Sequence, residues 1–270
     1  MKNLKRYAAI LAVILLLVIF CLPMVFALGE SETSQALFRG ALGAAILLPI
    51  LLYAFMLVYR VFGKKKTEDH AVKNIVFDVG QVLVKYDWES FLAGFGFDRQ
   101  KYERLADITF RSAIWQERDR GELPDEAYVD QMVDLAPEYE SEIREIMQRS
   151  AETISPMDYA QTWVQYLKDQ GYHIYILSNF CAYMLEKAES SMGFLKYVDG
   201  TVFSCDVNQI KPEPEIYHTL LDTFGLNPEE TVFLDDREEN CVAARKEGIH
   251  AIRFTSFKSA AAELEKLGIK

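Results

Sequence analysis

The chain has 270 residues, half of them hydrophobic, with 29 Lys and Arg against 40 Asp and Glu and a formal net charge of −11. That length allows one substantial domain with additions. An acidic balance excludes a chain built to bind nucleic acid, which needs a basic face, but it suits a divalent cation.

Charge and apolarity are unevenly spread. No charged residue lies between Arg6 and Glu30, a run of 23, or between Arg39 and Arg60, a run of 20. About 20 apolar residues suffice to cross a bilayer as a helix, so both runs predict membrane-spanning helices, over about 7–28 and 40–60. Residues 1–66 carry a net charge of +6 and the remainder −17. Lys2, Lys5 and Arg6 precede the first run, and Arg60, Lys64, Lys65 and Lys66 follow the second. Positive flanks face the cytoplasm. The expectation is a multi-pass anchor over 1–66 in the cell membrane, with the main domain on the cytoplasmic side. The first run also admits a secretory signal, since Val25–Phe26–Ala27 fits a cleavage site, although it is long for one. In either case Lys64–Lys66 would keep the main domain inside. The four cysteines (Cys21, Cys181, Cys205 and Cys241) form no CxxC pair and no close Cys/His cluster. They read as reduced, and no zinc site is expected.

After a polar linker, Ile75–Val76–Phe77 is a short apolar run that stops at Asp78, followed by Val79 and Gly80. This predicts a buried strand delivering an acid to a sheet edge. From Trp88 to about Ile154 apolar residues recur every three or four positions, as in Tyr128, Met132 and Leu135, or Ile143, Ile146 and Met147. That spacing predicts a helical insertion over 88–154. Then α/β alternation resumes. A helix carries Trp163, Tyr166 and Leu167 on one face, and a strand over His173–Leu177 ends at Ser178–Asn179. A helix over Tyr183–Met192 precedes a short strand over Thr201–Ser204, and another helix runs from Pro214 to Phe224. A strand over Thr231–Leu234 ends at Asp235–Asp236, a helix runs from Asn240 to Glu247, and a strand over His250–Phe254 precedes a last helix. Strands alternating with helices predict a parallel, Rossmann-like sheet with right-handed crossovers, built from 67–87 and 155–270. No glycine-rich dinucleotide or P-loop fingerprint occurs.

Four polar features thus fall at strand or loop ends: Asp78, Ser178–Asn179, Lys211–Pro212 and Asp235–Asp236. In an open parallel sheet such ends share one edge. They supply a carboxylate nucleophile, a hydroxyl, an ammonium and further carboxylates, a set suited to phosphoryl transfer through an aspartyl-phosphate. Mg²⁺ takes hard oxygen ligands, which Asp78 and Asp236 offer. Lys211 and Ser178 are placed to neutralise and orient phosphoryl oxygens.

In order and spacing, FDVGQVLV, ILSN, IKPEPEIY and FLDDREEN resemble the motifs of the haloacid dehalogenase-like (HAD) hydrolases over about Val72–Lys270. The resemblance implies Asp78 as nucleophile and metal ligand. Ser178 and Asn179 become phosphate-binding residues, Lys211 the third-motif lysine, and Asp236 the magnesium carboxylate. Asn240 would be its polar companion and Asp235 a supporting acid. The insertion over 88–154 would be a cap. Most phosphatases of this family carry a general acid–base Asp two residues after the nucleophile, where this chain has Gly80. The glycine keeps only the backbone carbonyl that in the family ligates the metal. The D-x-G-[QN]-V pattern and the stretch WQERDRGELPDEAY resemble a branch that includes glucose-1-phosphate phosphatases. Within that stretch, Trp115 reads as core and Arg118 as an ion-pair partner. The implied function is a membrane-anchored, Mg²⁺-dependent phosphatase acting on a small phosphate ester, with a sugar phosphate as the candidate. The alternatives are a haloacid dehalogenase or a non-catalytic scaffold of the same fold.

Overall fold

The computed structural model describes residues 71–269 continuously, together with scattered positions between Cys21 and Tyr53. The chain divides into two units, Met1–Asp69 and His70–Lys270. The helices expected over about 7–28 and 40–60 lie outside the continuously described residues. Among the described residues no helix is long and apolar enough to cross a membrane.

The second unit begins with β1 (Asn74–Phe77) and β2 (Val84–Tyr86). A helical stretch follows: α1 (Trp88–Ala93), α2 (Arg99–Ile108), α3 (Ala113–Arg120), α4 (Asp125–Leu135) and α5 (Glu140–Gln148). The chain returns through β3 (Ile154–Pro156), then α6 (Ala160–Asp169), β4 (His173–Ser178), α7 (Ala182–Lys187) and β5 (Gly200–Phe203). It closes with α8 (Ser204–Val207), α9 (Pro214–Phe224), β6 (Thr231–Asp235), α10 (Glu238–Lys246), β7 (His250–Arg253) and α11 (Phe257–Lys266).

Five strands form one sheet of order β5–β4–β1–β6–β7, parallel throughout. The apolar runs explain why it is buried on both faces. Successive side chains of β1 alternate between two cores, Ile75 and Phe77 in one and Val76 in the other. In β4, Ile174 and Ile176 share the first core while Tyr175 and Leu177 share the second, and β6 repeats the pattern with Val232 and Leu234 against Phe233. Trp163, Val164 and Leu167 of α6 cover the first face, and Ile216, Tyr217 and Leu220 of α9 cover the second. Tyr166, expected on the buried face of α6, is instead exposed, because the inward stripe passes through Val164 rather than around to position 166. The single helix expected over Tyr183–Met192 stops at Lys187 and continues as a 3₁₀ turn.

β2 and β3 pair antiparallel, Val84 with Pro156 and Tyr86 with Ile154. The helical insert leaves and re-enters through this ribbon. Its inner residues Leu105, Ile108, Met132, Ile143 and Ile146 join the first core. At its other end the insert is tied to the loop between α8 and α9. Arg120 makes a two-pronged pair with Glu213, at 2.8 and 2.7 Å, and the Asn208 side-chain amide donates to the Arg120 carbonyl at 3.1 Å. Gly121 ends α3 in the left-handed conformation, φ +74°, and a Cβ there would lie 2.9 Å from the Cβ of Cys205. Glycine is needed for both the dihedral and the approach. Gly121→Ala is expected to destabilise the protein by about 2–5 kcal/mol, from left-handed strain plus overpacking. The shift of the urea-unfolding midpoint measures this.

Candidate active site

β1 lies between β4 and β6, so the carboxyl ends of three neighbouring strands converge. Asp78 follows β1 directly, and its backbone N–H is held by the Leu234 carbonyl at 2.9 Å. Ser178 is the last residue of β4 and Asp235 the last of β6. The Ser178 hydroxyl donates to Asp78 Oδ1 at 2.7 Å. Lys211 Nζ reaches the same oxygen at 2.8 Å, Asp235 Oδ2 at 2.7 Å and the Leu177 carbonyl at 2.9 Å. An ammonium has three donors, and all three of Lys211 are used. Its backbone is fixed as firmly. Asn179 Oδ1 accepts from the Lys211 amide at 2.8 Å, and Asn179 Nδ2 donates to the Lys211 carbonyl at 3.0 Å. Asn179 therefore braces the lysine loop, with one amide hydrogen left over for the cavity that it also lines.

Asp235 is fully buried. It accepts from Lys211, from the Arg237 backbone N–H at 2.8 Å, and from Asn240 Nδ2 at 3.0 Å to each oxygen. Asn240, expected beside Asp236, turns to Asp235 instead, because the first turn of α10 folds back over the end of β6. Asp236 is half-buried, and its carboxyl is pushed up to about 6, by burial first and then by Asp78 and Asp235, with Lys211 opposing. Burial likewise raises Asp78, against the pull of Lys211.

Carboxylate oxygens of Asp78, Asp235 and Asp236 come within 4.8 Å of one another. Three carboxylates surround one ammonium, so the cluster carries excess negative charge in a low-dielectric place. Asn240 Oδ1 is buried beside it without a hydrogen-bond partner. A hard divalent cation fits this donor set. Asp78 and Asp236 would hold it with the Gly80 carbonyl, which lines the same cavity.

That cavity encloses about 560 Å³, within the usual range for small ligands. Asp78, Ser178, Lys211 and Asp236 form its floor, and Trp115 and Asp119 of α3 face it from the insert. Trp115 is core as well, packing on Phe110 with ring centroids 5.0 Å apart. Arg118 stays with the ion-pair reading: it is buried, bonded to Asp125 at 2.6 and 3.2 Å, and lies over the Trp115 ring. Sequence reasoning missed Asp119. It sits inside a charged stretch that reads as a solvated face. The available signal was its i+4 spacing from Trp115, which puts the two on one side of α3.

The profile of haloacid dehalogenase-like hydrolases matches residues 47–248. The chain belongs to this family. HAD-like relatives differ in how much they share with it. Identity is 38% over 105 residues to a bifunctional epoxide hydrolase of Mus musculus, a stretch covering 37% of this chain and only 19% of that protein. It is 26% over 198 residues to a sesquiterpene phosphatase of Aspergillus oryzae, covering 72% of this chain and 96% of that one. A HAD family enzyme of Bacteroides thetaiotaomicron, solved with magnesium and inorganic phosphate, superposes with a TM-score of 0.55 at 21% identity over 70% of this chain and 98% of its own. That likeness is one of fold.

The raised Asp236 has a consequence for stability. Its folded value of about 6 lies above the ordinary 3.8, so between these values the folded state binds more protons, and stability falls as pH rises. Above about pH 6 the penalty is fully present. With divalent cations chelated, Asp236→Asn is expected to melt higher than the wild type at pH 7.5, and the gap should close toward pH 4. Melting temperatures across that range check it.

Proposed function

We propose that this chain is a Mg²⁺-dependent phosphatase that hydrolyses a small phosphate ester through an aspartyl-phosphate. The observation that carries the reading is the state of Asp78. Its Oδ1 takes both the Ser178 hydroxyl and the Lys211 ammonium, which leaves Oδ2 to attack phosphorus in the cavity. Lys211 favours the ionised nucleophile and fixes its rotation. The spare amide hydrogen of Asn179 is positioned for a phosphoryl oxygen, and the single Ser178 O–H would serve one only by turning away from Asp78. A bound Mg²⁺ supplies positive charge against those oxygens. The sesquiterpene phosphatase relative and the magnesium-and-phosphate complex of the structural neighbour support the same reading. A dehalogenase would attack carbon with Asp78 and gives Asp236 no part. A scaffold would have no reason to keep the whole cluster.

The substrate we favour is a sugar phosphate, since the D-x-G-[QN]-V pattern and the stretch WQERDRGELPDEAY resemble the branch that includes glucose-1-phosphate phosphatases. We further propose that residues 1–66 anchor the enzyme in the cell membrane with this domain on the cytoplasmic side. The uncharged runs, their basic flanks and the exposed apolar side chains of Leu37, Leu42, Leu47 and Tyr53 support that reading.

The full chain in detergent micelles is expected to release phosphate from a panel of phosphate esters with Mg²⁺ and to stop when the metal is chelated. Asp78→Asn should lose at least about 10³-fold in kcat, as expected when a nucleophile is removed. No turnover of any ester with Mg²⁺ present would sink the proposal.

A further inference from the structure

The phosphatase chemistry leaves one need unmet. An alkyl or sugar ester must receive a proton on its leaving oxygen, and the water that clears the aspartyl-phosphate must lose one. Gly80 supplies neither. The space beside it is open, because a Cβ there would meet nothing within 4 Å. A carboxyl-bearing residue of the insert borders the same space. Asp119 of α3 lines the main cavity together with Asp78, and with Gly80 it also lines a smaller lobe of about 90 Å³. Four carboxylic side chains border the main cavity. Asp78 and Asp236 belong to the nucleophile and metal cluster. Glu239 is exposed and paired with Arg237. Asp119 belongs to neither group: its carboxyl takes the Cys181 backbone N–H and lies near the Arg118 charge.

We propose that Asp119 is the general acid and base of this site, acting from the cap in place of a carboxylate at position 80. The proposal rests on the phosphatase reading and deepens it.

The placement of Asp119 is built in. The Ser204 hydroxyl donates to the Asp119 carbonyl and accepts from the Phe180 N–H at 2.8 Å, so the cap residue is tied to the loop that follows Ser178 and Asn179. The next residue, Arg120, is clamped to Glu213, and Gly121 packs directly on Cys205. A cap held at three consecutive residues fixes the backbone that carries Asp119, and the Cys181 N–H bonds to its carboxyl. The groups facing it are Arg118, the backbone amide of Cys181, Asp78 and Arg237. Burial is the largest influence on the carboxyl and pushes it up to about 7, near neutral pH, where an acid–base group is most effective.

The steps balance. Asp78 Oδ2 bonds to phosphorus as the ester P–O bond breaks, and the departing oxygen takes the proton of Asp119. Water then attacks the phosphorus of the aspartyl-phosphate and gives its proton to the Asp119 carboxylate. The bond to Asp78 breaks, releasing phosphate and restoring both carboxyl groups.

The test uses the full chain in detergent micelles with Mg²⁺ and two esters, 4-nitrophenyl phosphate and a primary alkyl phosphate. 4-Nitrophenolate leaves without protonation and the alkoxide does not. In Asp119→Asn, kcat/KM for the alkyl ester should fall about 10²–10⁴-fold, while kcat/KM for the aryl ester should stay within about tenfold. The variant should also show a burst of 4-nitrophenol followed by slow turnover, because the aspartyl-phosphate accumulates without its base. The ratio of the two esters is internal to each preparation, so partial misfolding does not imitate the result. Adding Gly80→Asp to Asp119→Asn should restore alkyl turnover in part. Equal losses on both esters, or none, would overturn the proposal, as would a wild type that cleaves only the aryl ester. A wild type that cleaves neither overturns the phosphatase reading and this proposal with it.

Discussion

The site depends on one buried ammonium. Lys211 is enclosed where β1, β4 and β6 end, and it answers two carboxylates and a carbonyl at hydrogen-bond distance. Taking these charges out of water is costly, and their mutual attraction repays it only when the geometry is good and each donor is used. The fold meets that condition. The parallel register places Asp78 and Asp235 on neighbouring strands, and Asn179 holds the lysine backbone from both its N–H and its C=O. Without Lys211, carboxylates would face one another uncompensated, a loss on the order of 3–5 kcal/mol. One ion-pair network thus holds three strand ends together and draws Asp78 toward its charged form against the effect of burial. It leaves negative charge over, which is the electrostatic reason the site suits a dication.

Much of this was legible in the sequence because it follows from local pattern. Strands buried on both faces must be short, continuous apolar runs, and the polar residues that end them must gather at one edge. Asp78, Ser178 and Asp235 follow from that rule, and Lys211 followed from its loop position. The β2–β3 ribbon was not legible. Three-residue strands separated by the whole insert, one of them ending in Pro156, carry no periodic signal. Nor was the orientation of Asn240, since its choice between adjacent aspartates depends on the pitch of one helical turn. Asp119 was hidden for a different reason. The role proposed for it depends on Ser204 and Glu213, some ninety residues away, and on empty space beside a glycine. A residue type conveys neither.

The insert is both wall and participant. Its helices pack on the same core as one face of the sheet, while the end of α3 is latched to the loop before α9. Trp115 contributes an aromatic wall and Asp119 a carboxyl, from one turn of one helix. On the proposed reading, substrate shape and proton transfer are therefore read by the same short segment.

The antiparallel pairing of Val84–Tyr86 with Ile154–Pro156 has a wider meaning. It closes the insert at its base, so the sheet meets the same two chain crossings whatever lies between them. Closure entropy grows only with the logarithm of loop length, about 0.6 kcal/mol for each doubling. The α/β frame is thus thermodynamically almost indifferent to the size of what it carries there. A lineage could exchange or enlarge that module without disturbing the register that brings Asp78, Ser178 and Asp235 to one edge.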